Sequence, residues 1–471
     1  MSKRRARSSK TFLNVAVVDA GAKGKSVAKT ETGEVIFLTD AVPGDVIDIQ
    51  TFKKQRNYYE GKTIAVHKLS ERRTEPVCKH FGVCGGCKWQ HMTYESQLYF
   101  KQKEVMENLK RIGHLELPEV TPILGALEQY NYRNKMEFSF SSSRWLTLDE
   151  IQSEELIDDK HALGFHIPGM WDKILHLDEC HLHPRIGEEI RLGVHAFAKA
   201  NNITYFNPRE KSGSLRTLML RMASTGEVMV VIQFFQDDES NRIALLEYLK
   251  TSFPQIKSLQ YIINEKANDT IYDQDVICYD GRDHIFEEME GLKFKINAKS
   301  FYQTNSAQAH ELYKVTRALA GLTGNELVYD LYTGTGTIAQ FVARQAKHVV
   351  GIESIPVAIQ DAKANAALNG IENTTFFAGD MKEVFNQQFI EQHGAPDVVI
   401  TDPPRDGMHK DVVQQLMNIA APKIVYVSCN SATQARDLAL LDEMYKITAV
   451  QPVDMFPQTH HVENVVLLEK R

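Results

Sequence analysis

The residues best equipped for chemistry lie between Val398 and Asn430, where VVITDPPRDG and KIVYVSCN read as two buried strands, each ending in reactive polar groups. Apolar β-branched runs joined by a helix-length segment, Lys410 to Ala420, are what parallel strands covered on both faces look like. Ligands of such sheets bind at the carboxyl ends of the strands, so Asp402, Arg405 and Cys429 are expected to open onto one crevice. A thiol placed there is a nucleophile once its proton is removed. Free cysteine also packs commonly as a small hydrophobe. Ser428, Asn430 and the Asp402-Pro403-Pro404-Arg405 turn favour the chemical use.

A second constellation precedes it. Glu326 to Asp330 reads as a strand, Gly334-Thr335-Gly336 as a tight turn, and Ile338 to Ala346 as a helix. His348 to Glu353 is a strand followed by a helix from Ile355 to Leu368, and Thr375 to Asp380 is a third strand. Glycines permit close backbone approach to a ligand, and an acid ending the second strand accepts ribose hydroxyls. The turn lacks a pyrophosphate-sized glycine loop yet keeps Glu353, which favours a nucleoside without phosphates, S-adenosylmethionine foremost. A glutamate serving only as a helix cap is the alternative for Glu353.

Three of the six cysteines form a Cys78-x5-Cys84-x2-Cys87 cluster in a glycine-containing loop. A chelated metal wants a fourth ligand; Cys180 in HLDECHLHP leads, with His80, His91, His181 and His183 as competitors. Tetrahedral zinc and an iron–sulfur cluster both fit the spacing. The chain is expected to be cytoplasmic, since MSKRRARSSKTF has no apolar segment behind its charges, and disulfides are not expected there.

Around these residues the chain divides. Its 471 residues are too many for one ordinary core, and 43% hydrophobic with 24% charged residues describes a globular protein with no membrane-spanning run. Residues 1–10 read as a basic arm. Residues 11–70 carry short β-rich runs (LNVAVVD, EVIFLTD, DVIDIQTF, KTIAVHKL) separated by turns, the pattern of a small barrel, with Lys53, Lys54, Arg56, Tyr58 and Tyr59 interleaving charge and aromatics as single-stranded nucleic acid prefers. Charge is lopsided: residues 1–114 hold 21 Lys and Arg against 12 Asp and Glu, or +9, leaving −16 for the remainder of a chain whose net charge is −7. That asymmetry fits a basic phosphate-binding module on a body with another task.

Residues 71–290 read as an α+β region. An amphipathic helix is expected over 92–114, strands over Met136–Phe140, Leu218–Arg221, Val228–Phe235, Ser258–Ile263 and Val276–Tyr279, and two helices among them, one over Asp237–Ser252. Tyr132-Arg133-Asn134-Lys135 is either a substrate-backbone patch or a solvated strand edge, and Cys278 is expected to pack within its strand. Residues 291–471 alternate strand and helix.

Taken jointly, Phe301-Tyr-Gln303-Thr-Asn305, Asp330-Leu-Tyr332-Thr-Gly-Thr-Gly, Asp402-Pro-Pro-Arg405, Ser428-Cys429-Asn430 and His461-Val-Glu463-Asn-Val465 resemble the S-adenosylmethionine-dependent RNA uracil-5 methyltransferases, which make 5-methyluridine. The resemblance spans nearly the whole chain. It implies a class I, Rossmann-like α/β methyltransferase domain, an N-terminal OB-like TRAM barrel that binds RNA, and a central α+β domain carrying a 4Fe-4S cluster on Cys78, Cys84, Cys87 and Cys180. It further implies that Gln303, Tyr332, Thr337, Glu353, Asp380 and Asp402 line the S-adenosylmethionine site, with Cys429 as nucleophile and Glu463 as base. Ribosomal RNA of the 23S type is the expected substrate, with transfer RNA as the alternative and a monomer as the expected state.

Those residue types suit the reaction. C5 of uracil attacks a sulfonium methyl poorly; addition of a thiolate to C6 generates an enolate and makes C5 nucleophilic, after which a base removes the C5 proton and the thiol is eliminated. A partly buried Glu463 suits that base, and Asp402 with Arg405 could hold the ring and its developing oxyanion. Two other readings compete. In an amino-directed methyltransferase an aromatic residue would follow Asp-Pro-Pro, where this chain has Arg405. A non-catalytic RNA-binding or redox-sensing protein would need neither Cys429 nor the cofactor layout.

Overall fold

The computed structural model describes residues 9–153 and 157–471. Most of the expected basic arm therefore lies outside the described residues. Strands Thr11–Ala20 (β1), Ser26–Lys29 (β2), Val35–Leu38 (β3), Val46–Lys54 (β4) and Tyr59–Lys68 (β5) close into a barrel of order β1-β2-β3-β5-β4. Alternation puts Val15, Val17, Ile36, Leu38, Ile47 and Ile49 inside. The four residues of β2 carry too few apolar positions to stand out in sequence; pairing on both sides makes them a strand.

Helix Tyr94–Arg111 (α1) follows the cysteine loop, as its apolar spacing predicts. An eight-stranded sheet is then built from Lys135–Ser141 (β6), Arg144–Trp145 (β7), Ala162–His166 (β8), Ile174–His176 (β9), Leu215–Met222 (β10), Val228–Phe234 (β11), Ile256–Ile263 (β12) and Ile277–Gly281 (β13). Leu148–Gln152 (α2), Arg185–Ala200 (α3) and Glu239–Ser252 (α4) accompany it, one helix more than the two expected, of which only α4 is delimited by the sequence pattern. One face of the sheet packs Phe138, Leu218, Leu220 and Val230 with α3 and α4 residues such as Ile190 and Leu245. Cys278 lies on edge strand β13 but is exposed rather than packed, because no strand covers that edge.

After the hairpin His284–Met289 (β14) and Leu292–Asn297 (β15) comes helix Ser306–Ala320 (α5). The third sheet takes Leu327–Leu331 (β16), His348–Glu353 (β17), Thr374–Ala378 (β18), Val398–Thr401 (β19), Lys423–Ser428 (β20), Tyr445–Val453 (β21) and Glu463–Lys470 (β22) in the order β18-β17-β16-β19-β20-β22-β21. Its helices are Thr337–Ala343 (α6), Pro356–Leu368 (α7), Met381–Val384 (α8), Gln387–His393 (α9), Lys410–Ile419 (α10) and Ser431–Leu441 (α11). Strands β16 to β20 run parallel, while β22 is antiparallel to β20 and β21. Although α1 precedes the central sheet in the chain, Val105 and Leu109 pack into the core of this C-terminal sheet. Among the described residues no helix is long and apolar enough to cross a membrane.

Candidate active site

Parallel strands present all their carboxyl ends to one edge, and the antiparallel β22 begins at that same edge. The edge therefore collects Tyr332 after β16, Glu353 ending β17, Asp380 after β18, Asp402 after β19, Cys429 after β20 and Glu463 opening β22. Chain order reverses between β16 and β19, the point at which open α/β sheets bind ligands. Asp402 N donates to Leu331 O across that gap (3.3 Å).

The β20–β22 register pairs Val427 with Val465 and Ser428 with Asn464. Cys429 follows the last of these pairs and Glu463 opens β22, so both stand at the same end of the ladder, close enough for the Glu463 charge to act on the thiol. Two turns are tied together beside them: Asn430 Nδ2 and Thr433 Oγ1 both donate to Arg405 O (3.0 and 3.1 Å). Asn430 also caps α11 by accepting from Ala432 N, so it positions the thiol through the backbone.

Burial dominates the electrostatics. It pushes the Glu463 carboxyl up to about 8, with the Asp402 charge adding and Arg405 opposing. Asp402 retains a part-exposed edge as a residue, yet its carboxyl is enclosed enough to be raised to about 7, with Asp330 adding. Asp330 is likewise raised to about 7 by burial; its Oδ2 accepts from Thr333 Oγ1 (2.5 Å) and its buried Oδ1 has no partner. The half-buried Cys429 thiol is raised to about 12, first by burial, then by Glu463 and Asp402, with Arg405 opposing. Three acids and a thiol thus crowd a low-dielectric crevice in which a cationic group would be welcome.

The expected cofactor residues divide in their environments. Tyr332 (φ 64°), Gly334 (φ 56°) and Gly336 (φ 75°) take left-handed conformations to turn the chain from β16 into α6. A Cβ on Gly336 would press on Ala362 and Phe376 at 3.0 Å, whereas one on Gly334 would meet nothing within 4 Å, so Gly334 borders open space. Glu353 accepts from Gly334 N (3.2 Å), Ser354 Oγ (2.9 Å) and Ile355 N (3.0 Å). It thus pins the glycine turn and holds the entry to α7, and its capping contacts coexist with its place on the ligand edge. Thr337 is buried at the start of α6 with its hydroxyl 3.3 Å from that of Thr335. Asp380 is exposed and caps α8 through Lys382 N (3.1 Å). Gln303 is part-exposed in the loop before α5; its carbonyl accepts from Asn134 Nδ2 (2.9 Å).

That last bond redefines the Tyr132–Lys135 segment. Tyr132 is buried with its hydroxyl donating to Pro457 O (2.9 Å), and Asn134 N donates to Thr304 O (2.8 Å). The segment joins the central sheet to the C-terminal domain and is neither a free patch nor a solvated edge. Sequence reading also missed what holds the 454–462 segment leading into Glu463. Buried Lys101 of α1 pairs with Asp454 (2.6 Å), which also accepts from Tyr94 Oη (2.9 Å). Gln97 and Gln458 exchange hydrogen bonds of 3.0 Å, and Gln458 O accepts from Lys88 N and Trp89 N, directly after Cys87. Helix periodicity marks Lys101 and Gln97 only as interruptions of an apolar face.

Cys78, Cys84, Cys87 and Cys180 all line one cavity of about 690 Å³, together with His80 and His181. His91 instead approaches Ala41 O (3.3 Å), and buried His183 faces Glu188 (3.2 Å). Burial raises all four thiols, Cys87 and Cys180 to about 12, and each of those two is raised further by other cysteines of the set. Soft donors that resist becoming anions beside one another suit a thiophilic metal centre, which compensates their charge. Among the described residues no three His, Cys, Asp or Glu side chains converge on a closed metal-ligand geometry.

The family model described as tRNA (Uracil-5-)-methyltransferase matches residues 222–471. An uncharacterized RNA methyltransferase of Bacteroides thetaiotaomicron is 56% identical over 96% of this chain and 100% of its own length. One from Porphyromonas gingivalis is 54% identical over 96% and 98%. Among solved structures, the Pyrococcus abyssi tRNA (uracil-54, C5)-methyltransferase in complex with S-adenosyl-L-homocysteine superposes with a TM-score of 0.75 at 26% identity, covering 96% of this chain and 100% of that one. The reactive strand edge thus sits within the matched segment, and the chain belongs to the S-adenosylmethionine-dependent RNA uracil-5 methyltransferase family.

Proposed function

We propose that this protein methylates C5 of a specific uridine in a stable RNA through a covalent bond between Cys429 Sγ and C6. The observation carrying this reading is that Cys429, directly after β20, and Glu463, opening β22, share the ligand edge of the sheet, with Glu463, Asp402 and Arg405 all acting on the thiol. The Cys429 thiol gives up its proton to solvent, Arg405 favouring the thiolate, and Sγ adds to C6 as the C5–C6 π electrons move onto C5 and the C4 carbonyl oxygen. S-adenosylmethionine, when bound, supplies the methyl group that C5 takes up. Glu463 then removes the C5 proton, and Sγ leaves as the C5–C6 double bond reforms. Asp402 and Arg405 orient the ring. Gln303, Tyr332, Thr337, Glu353, Asp380 and Asp402 would hold the cofactor; the unpaired buried oxygen of Asp330 and the crowd of acids suit its cationic sulfonium.

Cys78, Cys84, Cys87 and Cys180 would hold a 4Fe-4S cluster whose role is to brace the loop joined to Gln458. The barrel would bind the RNA. Barrel and cysteine loop are the grounds for favouring 23S ribosomal RNA. Transfer RNA is the second reading, because the structure whose full length this chain matches is that of a tRNA (uracil-54, C5)-methyltransferase. Mapping 5-methyluridine in ribosomal and transfer RNA from cells with and without this gene tests the reading. Loss of one methyl group supports it, and unchanged maps in both RNAs overturn it.

A further inference from the structure

A cavity of about 350 Å³ opens on the central sheet, sharing His166 with the cysteine cavity but none of the residues of the reactive edge. Its floor is Ser139 and Thr217, paired residues of β6 and β10, and its walls include Trp171, Lys211, Glu265 and Asp269. Trp171 is 64% exposed, yet the loop presenting it is braced. Met170 N donates to Ile167 O (2.9 Å), Ile167 N to Lys173 O (3.0 Å), and the adjacent buried Asp172 pairs with Arg209. Arg216 fixes another wall: its guanidinium lies beside the contacting rings of Phe206 and Phe235 (4.8 and 5.6 Å) and donates to the carbonyls of Asn264, Lys266 and Ala267. A large indole held toward solvent on a braced loop is an aromatic platform without an aromatic or cationic partner among the described residues.

The placement of this cavity is informative. Residues two apart on a strand share a face, so Ser139 lies on the face of β6 that carries Glu137 and Lys135, which line the cysteine cavity, and His166 lines both cavities. On β10 the same face carries Thr217, Met219 and Arg221. Met219 enters the core shared with the C-terminal domain, and Arg221 donates to Ser300 O in the loop bearing Gln303. From Thr217 to Arg221 is about 13 Å along the strand, a length a few nucleotides of single strand cover.

We propose that this cavity is a second nucleotide-recognition site, taking an unpaired base of the same RNA that bears the target uridine; it rests on the function proposed above. The base stacks on Trp171, as bases do on exposed aromatics of single-strand binders, and Lys211 meets a phosphate. The Glu265 and Asp269 carboxylates would repel phosphate but accept from an exocyclic amino group, which favours adenine, cytosine or guanine over uracil, whose only donor in the plane of the ring edge is N3–H.

The test uses native enzyme, Trp171→Ala, Trp171→Phe, Lys211→Ala and, as a control, Leu127→Ala at an exposed apolar position outside the cavity. Each is assayed on the RNA segment surrounding the mapped uridine, with ultraviolet cross-linking of that RNA to native protein. Trp171→Ala is expected to raise KM for RNA about tenfold or more, Trp171→Phe to recover most of it, Lys211→Ala to raise KM less steeply, and Leu127→Ala to match native. Cross-links are expected in peptides containing Trp171 or residues 265–269. Replacing the cross-linked base by uracil should reproduce the Trp171→Ala defect. Native KM in both Trp171→Ala and Lys211→Ala, with no cross-link there, overturns the second site alone. Native enzyme that transfers no methyl group to uridine overturns the proposed function and this site with it.

Discussion

Cys429 directly follows Ser428 and Glu463 directly precedes Asn464, so thiol and carboxyl stand at the same end of the antiparallel β20–β22 ladder. Groups 34 positions apart in the chain therefore depend on a single register, and slipping it by one residue would turn Glu463 to the other face of the sheet. Both groups are desolvated; Glu463 and Asp402 hold the thiol toward its neutral form, and Asp402 does the same to Glu463.

Removing the base should separate the two halves of the reaction. Glu463→Gln is expected to add to C6 but to stall before proton removal, lowering turnover by about 10²–10⁴-fold while a covalent RNA–protein species accumulates on denaturing gels. Because the carboxyl is raised to about 8, the rate at which a preformed covalent species is resolved, a step that needs the Glu463 carboxylate but no longer the thiolate, should climb with pH and level off above that value in native enzyme, and the variant should lack this limb.

The same acids make stability pH-dependent with a definite sign. Glu463 near 8, against its ordinary 4.5, and Asp330 and Asp402 near 7, against 3.8, bind protons more tightly folded than unfolded. Their contribution is therefore full below the ordinary values and is lost as pH rises through the folded ones. Melting temperatures of native protein and Glu463→Gln between about pH 5 and about pH 9 should diverge in favour of the variant as pH rises, and the gap should stop growing above about 8. A gap independent of pH would contradict the burial of this carboxyl.

The Lys101–Asp454 pair is fully enclosed and ties α1 to the segment before Glu463. Lys101→Met, which strands the Asp454 charge, is expected to cost about 3–5 kcal/mol in denaturant unfolding. Lys101→Met with Asp454→Leu should recover part of that loss.

Glu353→Ala removes the acceptor for Gly334 N and Ile355 N as well as the proposed ribose partner. Calorimetry should show S-adenosylmethionine bound about tenfold or more weakly, whereas Asp380→Asn, at an exposed cap, should weaken it less. Cys180→Ala is expected to lower iron and sulfide content in anaerobically purified protein. Stoichiometric zinc in an active native enzyme would contradict the cluster.

Much of this was legible in sequence because strand periodicity and turn chemistry are local. The parallel strands ending at Asp402 and Cys429, the glycine turn after Asp330 and the barrel's β-rich runs all sit where their patterns indicate. What was not legible depends on partners distant in the chain. β2 becomes a strand only by pairing, Tyr132 to Lys135 read as surface because its partners Gln303 and Pro457 lie far along the chain, and Lys101 looks misplaced on an apolar helix until Asp454 closes over it. Glu463 reads as an ordinary strand opening; its raised carboxyl follows from the burial that the antiparallel insertion of β22 imposes.

The central claim is a bond between Cys429 sulfur and C6 of uracil. RNA substituted with 5-fluorouridine carries fluorine in place of the C5 proton and leaves the base nothing to remove, so native protein incubated with it and S-adenosylmethionine should form a denaturation-resistant adduct, mapped by mass spectrometry to the peptide containing Cys429. Cys429→Ala should form none. An adduct that persists in Cys429→Ala, or no adduct with native protein that methylates unsubstituted RNA, would contradict the account.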